Sequence, residues 1–437
     1  MTSALRLAWL LTRGSDRREW WRVTLTALGA VLATGFALAA VTVASIEGQV
    51  SISYANGLLD QPGERSGITL ALLLLLLPVM GFLAQCARIG AVHRDRRLAA
   101  LRLAGATPRQ VRRIDAMEAG LACLAGSALA TVFFVLLLLR LHRPSAVAWA
   151  GFVAVAVAVP VLAVLVSMFA LRRVVASPLG WVRRTPPRAV GLRTMAVPMT
   201  LAVAAALGTL ARGFVSAPLA VAAVVGVVGV GAVWLSGAGS AFVGRRFAAR
   251  ARRADVLIAA ERLRQDPWAT ARTHGAVLLV TVVGTGFVGI REVLLETLRR
   301  RDDLGADLSF YTTGINLAGA AVLVALAITL SGLAVGSVES VATRRRELAA
   351  QAAAGVPREV LGRALLLETA LPLAPAVLIA GAGGMAVSLW YAGLANVTPP
   401  LLPLVVPVVV YAGCLLAAVT SLPLLRRSVH PAELRRA

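Results

Sequence analysis

A chain of 437 residues that is 58% hydrophobic and only 15% charged, with a mean hydropathy of +0.80, holds more apolar surface than one soluble core can bury, and reads as a polytopic membrane protein. All 44 basic residues are arginine, which excludes a Walker A lysine, a Schiff-base lysine and a lysine general base. The net charge of +23 would point to nucleic acid in a soluble protein. Here the arginines lie between apolar runs, where they set topology and meet anionic head groups, so the expected partner is the lipid bilayer and not nucleic acid.

Ten runs are long enough to cross the hydrocarbon layer, which takes about 20 helical residues. The first, near 23–45, follows Trp20-Trp21-Arg22 and reads as a retained signal anchor. A short loop, Glu47 to Ser66, leads to a second span near 67–88. An arginine-rich segment then precedes spans near 118–139 and 146–170. Spans near 193–211 and 217–242 follow, then one near 274–296 that is continuous to Ile290 and emerges as an amphipathic helix at Arg291-Glu292. The loop Leu298 to Thr312 leads to a span near 313–336, a second arginine-rich segment, and final spans near 367–391 and 401–424. With this count, 36 arginines fall on the side of the termini and 8 on the other. By the positive-inside rule both termini are cytoplasmic.

The two arginine-rich segments repeat one another. Arg96-Arg97-Leu98-Ala99-Ala100, Ala104-Gly105, Arg113 and Glu118 match Arg346-Glu347-Leu348-Ala349-Ala350, Ala354-Gly355, Arg363 and Glu368, with eight of 23 positions identical and no gap. The tails after the fourth and tenth spans also correspond: Leu171-Arg172-Arg173, Pro178 and Arg183-Arg184 against Leu425-Arg426-Arg427, Pro431 and Arg435-Arg436. An internal duplication explains both. The fold expected is all-α, with two parallel four-helix repeats at 1–184 and 255–437 joined by two connector helices in 185–254. Both repeats hold an even number of spans, so they are parallel and not inverted.

Each repeated segment reads as a short helix along the inner surface, stopped at a glycine and restarted beside a proline: Gly105 with Thr107-Pro108, and Gly355 with Pro357. Glu118 and Glu368 fall where the next apolar run opens, and a helix N-terminal capping role is expected for them. Gly284-Thr285-Gly286-Phe287-Val288-Gly289 spells a dinucleotide fingerprint, but it lies inside a span without a preceding strand. Close helix packing accounts for it better. The histidines His93, His142, His274 and His430 and the cysteines Cys86, Cys123 and Cys414 show no ligand or catalytic spacing, so no metal or catalytic site is expected. No acid occupies the centre of a span, which disfavours an ion-coupled carrier.

The pattern of Arg-Glu-Leu, small residues, Gly-Ala-Thr-Pro-Arg-Gln-Val or Gly-Val-Pro-Arg-Glu-Val, then Glu at the next span resembles the FtsX-like permease domain, including MacB-type permeases of ABC transporters. The resemblance implies that segments 92–117 and 340–366 dock on a separate cytoplasmic ABC ATPase, a dimer that binds the ATP. The chain itself then needs no cofactor and is not an enzyme. Matching the family motif are Leu98, Leu101, Gly105, Thr107, Pro108, Arg109 and Glu118 in the first segment. In the second they are Arg346, Glu347, Leu348, Gly355, Pro357, Arg358 and Glu368. Arg97 departs from it, standing where the second copy has Glu347. The implied protein is a multi-pass permease of the bacterial plasma membrane that exports or extracts a small amphiphile: an antibiotic, a peptide or a lipid. The alternative is a regulatory permease acting on a two-component sensor kinase or a cell-wall hydrolase without transport. An ion-coupled secondary transporter ranks last.

Overall fold

A computed structural model describes residues 17–48, 59–60, 62–86, 103, 105–141, 146–170, 217–300, 308–423 and 425, and every element among them is helical. The chain divides into two compact units, Met1–Thr185 and Pro186–Ala437.

In the first unit α1 (Arg17–Ala44) is the central helix, contacted by α2 (Pro62–Leu74), α3 (Leu76–Cys86), α4 (Pro108–Leu141) and α5 (Ala146–Ala170). Its core joins Leu38 of α1 to Ala148 and Phe152 of α5, with Phe134 edge-on to Phe152 at 5.8 Å between ring centroids. The second expected span is broken at Leu75, between α2 and α3. Pro78 has no N–H to donate to the carbonyl of Leu74, so the ladder fails there. At the opposite end from Gly105, buried Arg65 donates to the carbonyls of Ile46 and Gly48, just beyond the end of α1, and of Asp60, just before α2.

The second unit contains α6 (Ala217–Ala248), α7 (Ala254–Gln265), α8 (Pro267–Arg299), α9 (Leu308–Thr343), α10 (Arg345–Ala353), α11 (Arg358–Ala395), a 3-10 turn (Leu402–Leu404) and α12 (Val405–Val419). Helices α8 and α11 pack along each other through Val277, Leu278, Val282, Leu373, Ala376, Val377 and Ala380, and Val410, Cys414 and Ala417 of α12 close the same core. Gly286 and Gly289 of the fingerprint lie in this seam, while Gly284 faces Val406 of α12 and Val322 of α9. A side chain at Gly289 would run into Ser388, and Gly286 faces the carbonyl of Gly384. Small residues there let two backbones approach.

Among the described residues seven helices are long and apolar enough to cross a membrane: Trp20–Ala44, Arg65–Leu83, Met117–Arg140, Thr273–Arg299, Leu308–Thr343, Arg358–Ala395 and Leu402–Val419. They fall on the expected spans one, two, three and seven to ten. Ala146–Leu162 is a shorter apolar helix on the fourth, and α6 covers the sixth. The fifth span and the arginine tails after Ala170 and Leu425 lie outside the described residues. Helix α8 does not stop at Ile290. Arg291 and Glu292 pair at 2.6 Å, and the helix continues to Arg299 with Val293, Leu295 and Leu298 buried.

Helix α7 was not foreseen. Its Asp255, Ala259 and Leu263 recur every fourth residue on one buried face, packed against α6 and α11. Two of the three carry little hydropathy, so an apolar-run criterion passes over them.

Candidate coupling segments

A helix of nine residues is marginal by itself in water, so α10 must be held by what it packs on. Leu348 and Ala349 turn inward, each 2% exposed. Leu348 sits in a small core with Val341 at the end of α9, Leu361 at the start of α11 and Leu425, rimmed by Ile258 of α7, Val356 and Leu365. Arg346 and Glu347 on the same helix are exposed. The segment thus has a buried apolar back and an exposed polar front.

The stop after α10 is a Schellman turn. The Gly355 N–H donates to the Ala352 carbonyl at 3.0 Å and the Val356 N–H to the Gln351 carbonyl at 3.1 Å. Gly355 has φ 90°, in the left-handed region, and nothing lies within 4 Å of where a Cβ would stand. The glycine is needed for its backbone angle, not for space. Pro357 follows in an extended conformation (φ −61°, ψ 147°), and α11 starts at Arg358. Gly355, Pro357 and Arg358 are all exposed.

The first segment is built alike at its glycine. Gly105 has φ 95° with nothing within 4 Å of a Cβ position. The start of α4 is a capping box: Thr107 Oγ1 accepts from the Gln110 N–H at 3.3 Å, and Gln110 Oε1 accepts from the Thr107 N–H at 2.8 Å. Pro108 takes the first helical position. Arg109 is exposed. Of the other expected residues, Arg97, Leu98 and Leu101 lie outside the described residues. Replacing Thr107 by alanine is expected to cost about 1 kcal/mol at this helix start. Amide exchange over residues 109–111 should quicken by about fivefold, which is read by mass spectrometry of the intact protein.

The expected capping role of the two glutamates does not hold. α4 begins at Pro108 and α11 at Arg358, so Glu118 and Glu368 stand several turns inside their helices, beyond the reach of the N-terminal dipole. A carboxylate in such a place needs a counterion, and each has one. Glu118, 3% exposed, pairs with Arg22 of α1, itself 6% exposed. Glu368 accepts both ends of the Arg344 guanidinium fork, Nη1 to Oε2 at 2.7 Å and Nη2 to Oε1 at 3.2 Å. Arg344 Nε also reaches Glu347 at 3.4 Å. Burial alone would lower the Arg344 pKa, but the Glu368 carboxylate, helped by Glu347, outweighs it and the pKa is raised. Arg344 and Arg22 are functional candidates absent from the motif. Arg344 is separated from Glu368 by 24 positions and Arg22 from Glu118 by 96, distances that no local pattern covers.

One family model, the FtsX-like permease C-terminal domain, matches the chain twice, at residues 68–179 and 319–430. The two matches together cover just over half of the chain. The chain belongs to the FtsX-like permease family. As an FtsX-like permease it is a multi-pass membrane protein and a permease-type component of an ABC transport system. The first match runs from α2 past α5 and the second from α9 past α12, and each encloses one glycine-centred segment with its glutamate. No curated protein and no solved structure matches the chain.

Proposed function

We propose that this FtsX-like permease is the membrane subunit of an ATP-driven export complex. A separate cytoplasmic ATPase, as a dimer, docks on the two glycine-centred segments, and the permease passes its closure to the far side of the membrane. The observation that carries this reading is the shape of the second segment. Its back is anchored by Leu348 and Arg344, while Arg346, Glu347, Gly355, Pro357 and Arg358 face outward. An anchored helix with a polar exposed front can receive a push without being torn from the bundle. The chain supplies the segments, and the ATPase binds and hydrolyses the ATP.

The segments joining α1 to α2 and α8 to α9 are short, below the 50 or more residues of a usual domain. This supports a small amphiphile taken from the bilayer over a large captured ligand. Membership of a bacterial-type permease family and the arginine asymmetry support residence in the plasma membrane with both termini inside.

Purification from native membranes tests the reading: a P-loop ATPase should come with the chain, and its hydrolysis should rise when the permease is present. Capture of no ATPase removes it. Capture with hydrolysis but with no transported amphiphile in vesicles favours the regulatory alternative. Reversing one exposed charge, Glu347→Arg, is expected to weaken capture by about tenfold, because like charges then meet across the contact. The heat midpoint of the permease should fall only slightly, since Glu347 is exposed and its contact with Arg344 is minor beside the Glu368 fork. Surface-binding measurements and a thermal scan on the same variant check both halves.

A further inference from the structure

Helices α4 and α5 touch closely at two levels and part between them. At one level buried Ser127 of α4 donates to the Ala156 carbonyl at 3.2 Å. That carbonyl is open to a partner because Pro160, four residues on inside α5, has no N–H to give it. At the other level a Cβ on Gly120 would stand 2.5 Å from a Val164 methyl, so the helices meet there as well. Between the two contacts lies a groove of about 400 Å³, roughly 10 Å long by the rise of α4, with Leu121 and Pro160 inside it and half-exposed Leu124, Val157 and Val161 along its rim. The lining is apolar, and α4 contributes to it from its membrane-crossing stretch, Met117–Arg140. Water does not settle in such a place.

The second unit fills the same place itself. Aligned on Glu118 and Glu368, Tyr411 of α12 matches Val161; aligned on the tails at Leu171 and Leu425, it matches Val157. Both are rim residues of the groove. Tyr411 packs on the core that holds Val410 and Cys414, and its hydroxyl lies 3.5 Å from the carbonyl of Ala370 on α11, the counterpart of Gly120. One copy of the repeat thus carries its own plug, and the other leaves the space to something from outside.

We propose that the groove between α4 and α5 binds the hydrocarbon tail of a single-chain amphiphile that enters sideways from the bilayer. Its rim is apolar and half-exposed, so a tail reaches it without crossing a polar barrier. Its volume lies at the small end of ligand pockets and suits one chain. A single-tailed molecule seats its whole apolar part in the groove and gains contacts along both helices. A two-chain lipid leaves its second tail outside and gains less. The end of the groove at Met117 adjoins Glu118, so a bound tail lies next to the ion pair that ties α4 to α1. This rests on the export reading for where the tail is bound for, but the binding itself needs neither the ATPase nor transport.

Photolabelling of the purified permease in phosphatidylcholine nanodiscs tests it, with a lysophosphatidylcholine that carries a diazirine in its chain as the probe. Leu28 of α1 is the reference. It is as exposed as Leu124, 48% against 50%, and lies at a similar depth, since its neighbour Ala27 stands against Gly126 of α4. Labelling at Leu124, Val157 and Val161, read by mass spectrometry of peptides, should exceed that at Leu28 at least about fivefold. Unlabelled lysophosphatidylcholine should compete it away. Val157→Tyr, which copies the plug of the second unit, should bring labelling at Leu124 and Val161 down to the Leu28 level, and Val161→Phe takes its place if that variant does not insert. Labelling at the Leu28 level throughout, as from surrounding lipid only, overturns the site. So does a folded Val157→Tyr permease that labels as the original does. Equal labelling from a two-chain phosphatidylcholine with the same diazirine also overturns it, because the groove is then a seat for structural lipid. Failure to capture an ATPase removes the export reading and leaves the labelling to decide the site.

Discussion

Replacing Gly105 and Gly355 together by valine is expected to give a permease that inserts normally and still captures its ATPase but no longer stimulates hydrolysis. Both glycines lie in the left-handed region, at φ 95° and φ 90°. An ordinary residue pays about 1–2 kcal/mol to stay there, and a β-branched one more. Space is not the issue, since neither position has a heavy atom within 4 Å of a built Cβ. The strain therefore falls on the backbone. The two Schellman hydrogen bonds on Ala352 and Gln351 would be released, and α10 would lose the angle at which it meets α11. A graded series separates this from bulk. Asparagine tolerates the left-handed region, as Asn396 does here at φ 51° where α11 ends. Gly355→Asn should thus retain most of the stimulation, Gly355→Ala less, and Gly355→Val least. Stimulated hydrolysis measured at saturating ATP gives the order. A valine pair as active as the original chain would show that the turn does not carry the force.

The parts of this molecule that were legible in the sequence are those whose signal is local. Spans show because about 20 consecutive apolar residues have few other uses, and seven described helices fall on them. The glycine of each segment shows because its neighbours stop one helix and start another, and the capping pair Thr107 and Gln110 stands in the sequence as it does in the structure. Helix starts were misread for a physical reason. Hydropathy marks where a helix enters the membrane, not where it begins, and α11 begins at Arg358, well before its apolar stretch. That displacement turned Glu368 from an expected cap into a half-buried acid requiring a counterion. The counterion itself was illegible, for Arg344 reaches Glu368 only because α9, α10 and α11 fold back on one another. The duplication is likewise clearer at the arginine-rich ends than within the spans. Among the described glycines, a Cβ would come nearest a main-chain atom at Gly126 in the first unit, against the Ala27 carbonyl, and at Gly384 in the second, against the Val282 carbonyl, and these glycines are not in equivalent positions.

Gly384→Val is expected to produce a large loss of stability in the second unit. A Cβ there would stand 2.6 Å from the Val282 carbonyl oxygen, 2.6 Å from the Thr285 Cβ and 3.0 Å from the Gly286 nitrogen. Two of these three neighbours are main-chain atoms of α8, and the third is a Cβ atom held just as firmly. Neither can turn aside as the end of a flexible side chain would, so the helices must separate. Separation opens the seam in which Leu278, Val282, Leu373, Ala376 and Ala380 are buried. Water supplies no hydrophobic force between helices in lipid, so close packing is the main source of association and its loss is not made up elsewhere. Overpacking of this kind costs about 3 kcal/mol, which for a unit of this size lowers the heat midpoint by roughly 10 °C. Gly284→Ala is the matched control. Its nearest neighbours are the methyl groups of Val406 and Val322 at 3.4 and 3.5 Å, ordinary contact distances, so the midpoint should hold or rise slightly. Thermal scans in nanodiscs read both variants. The idea fails if Gly384→Val melts with the original protein or if the control falls as far. The contrast with Gly355 is the stronger check, because a glycine kept for its backbone angle should lose coupling with only a small fall in melting point, and a glycine kept for close approach should lose the melting point first.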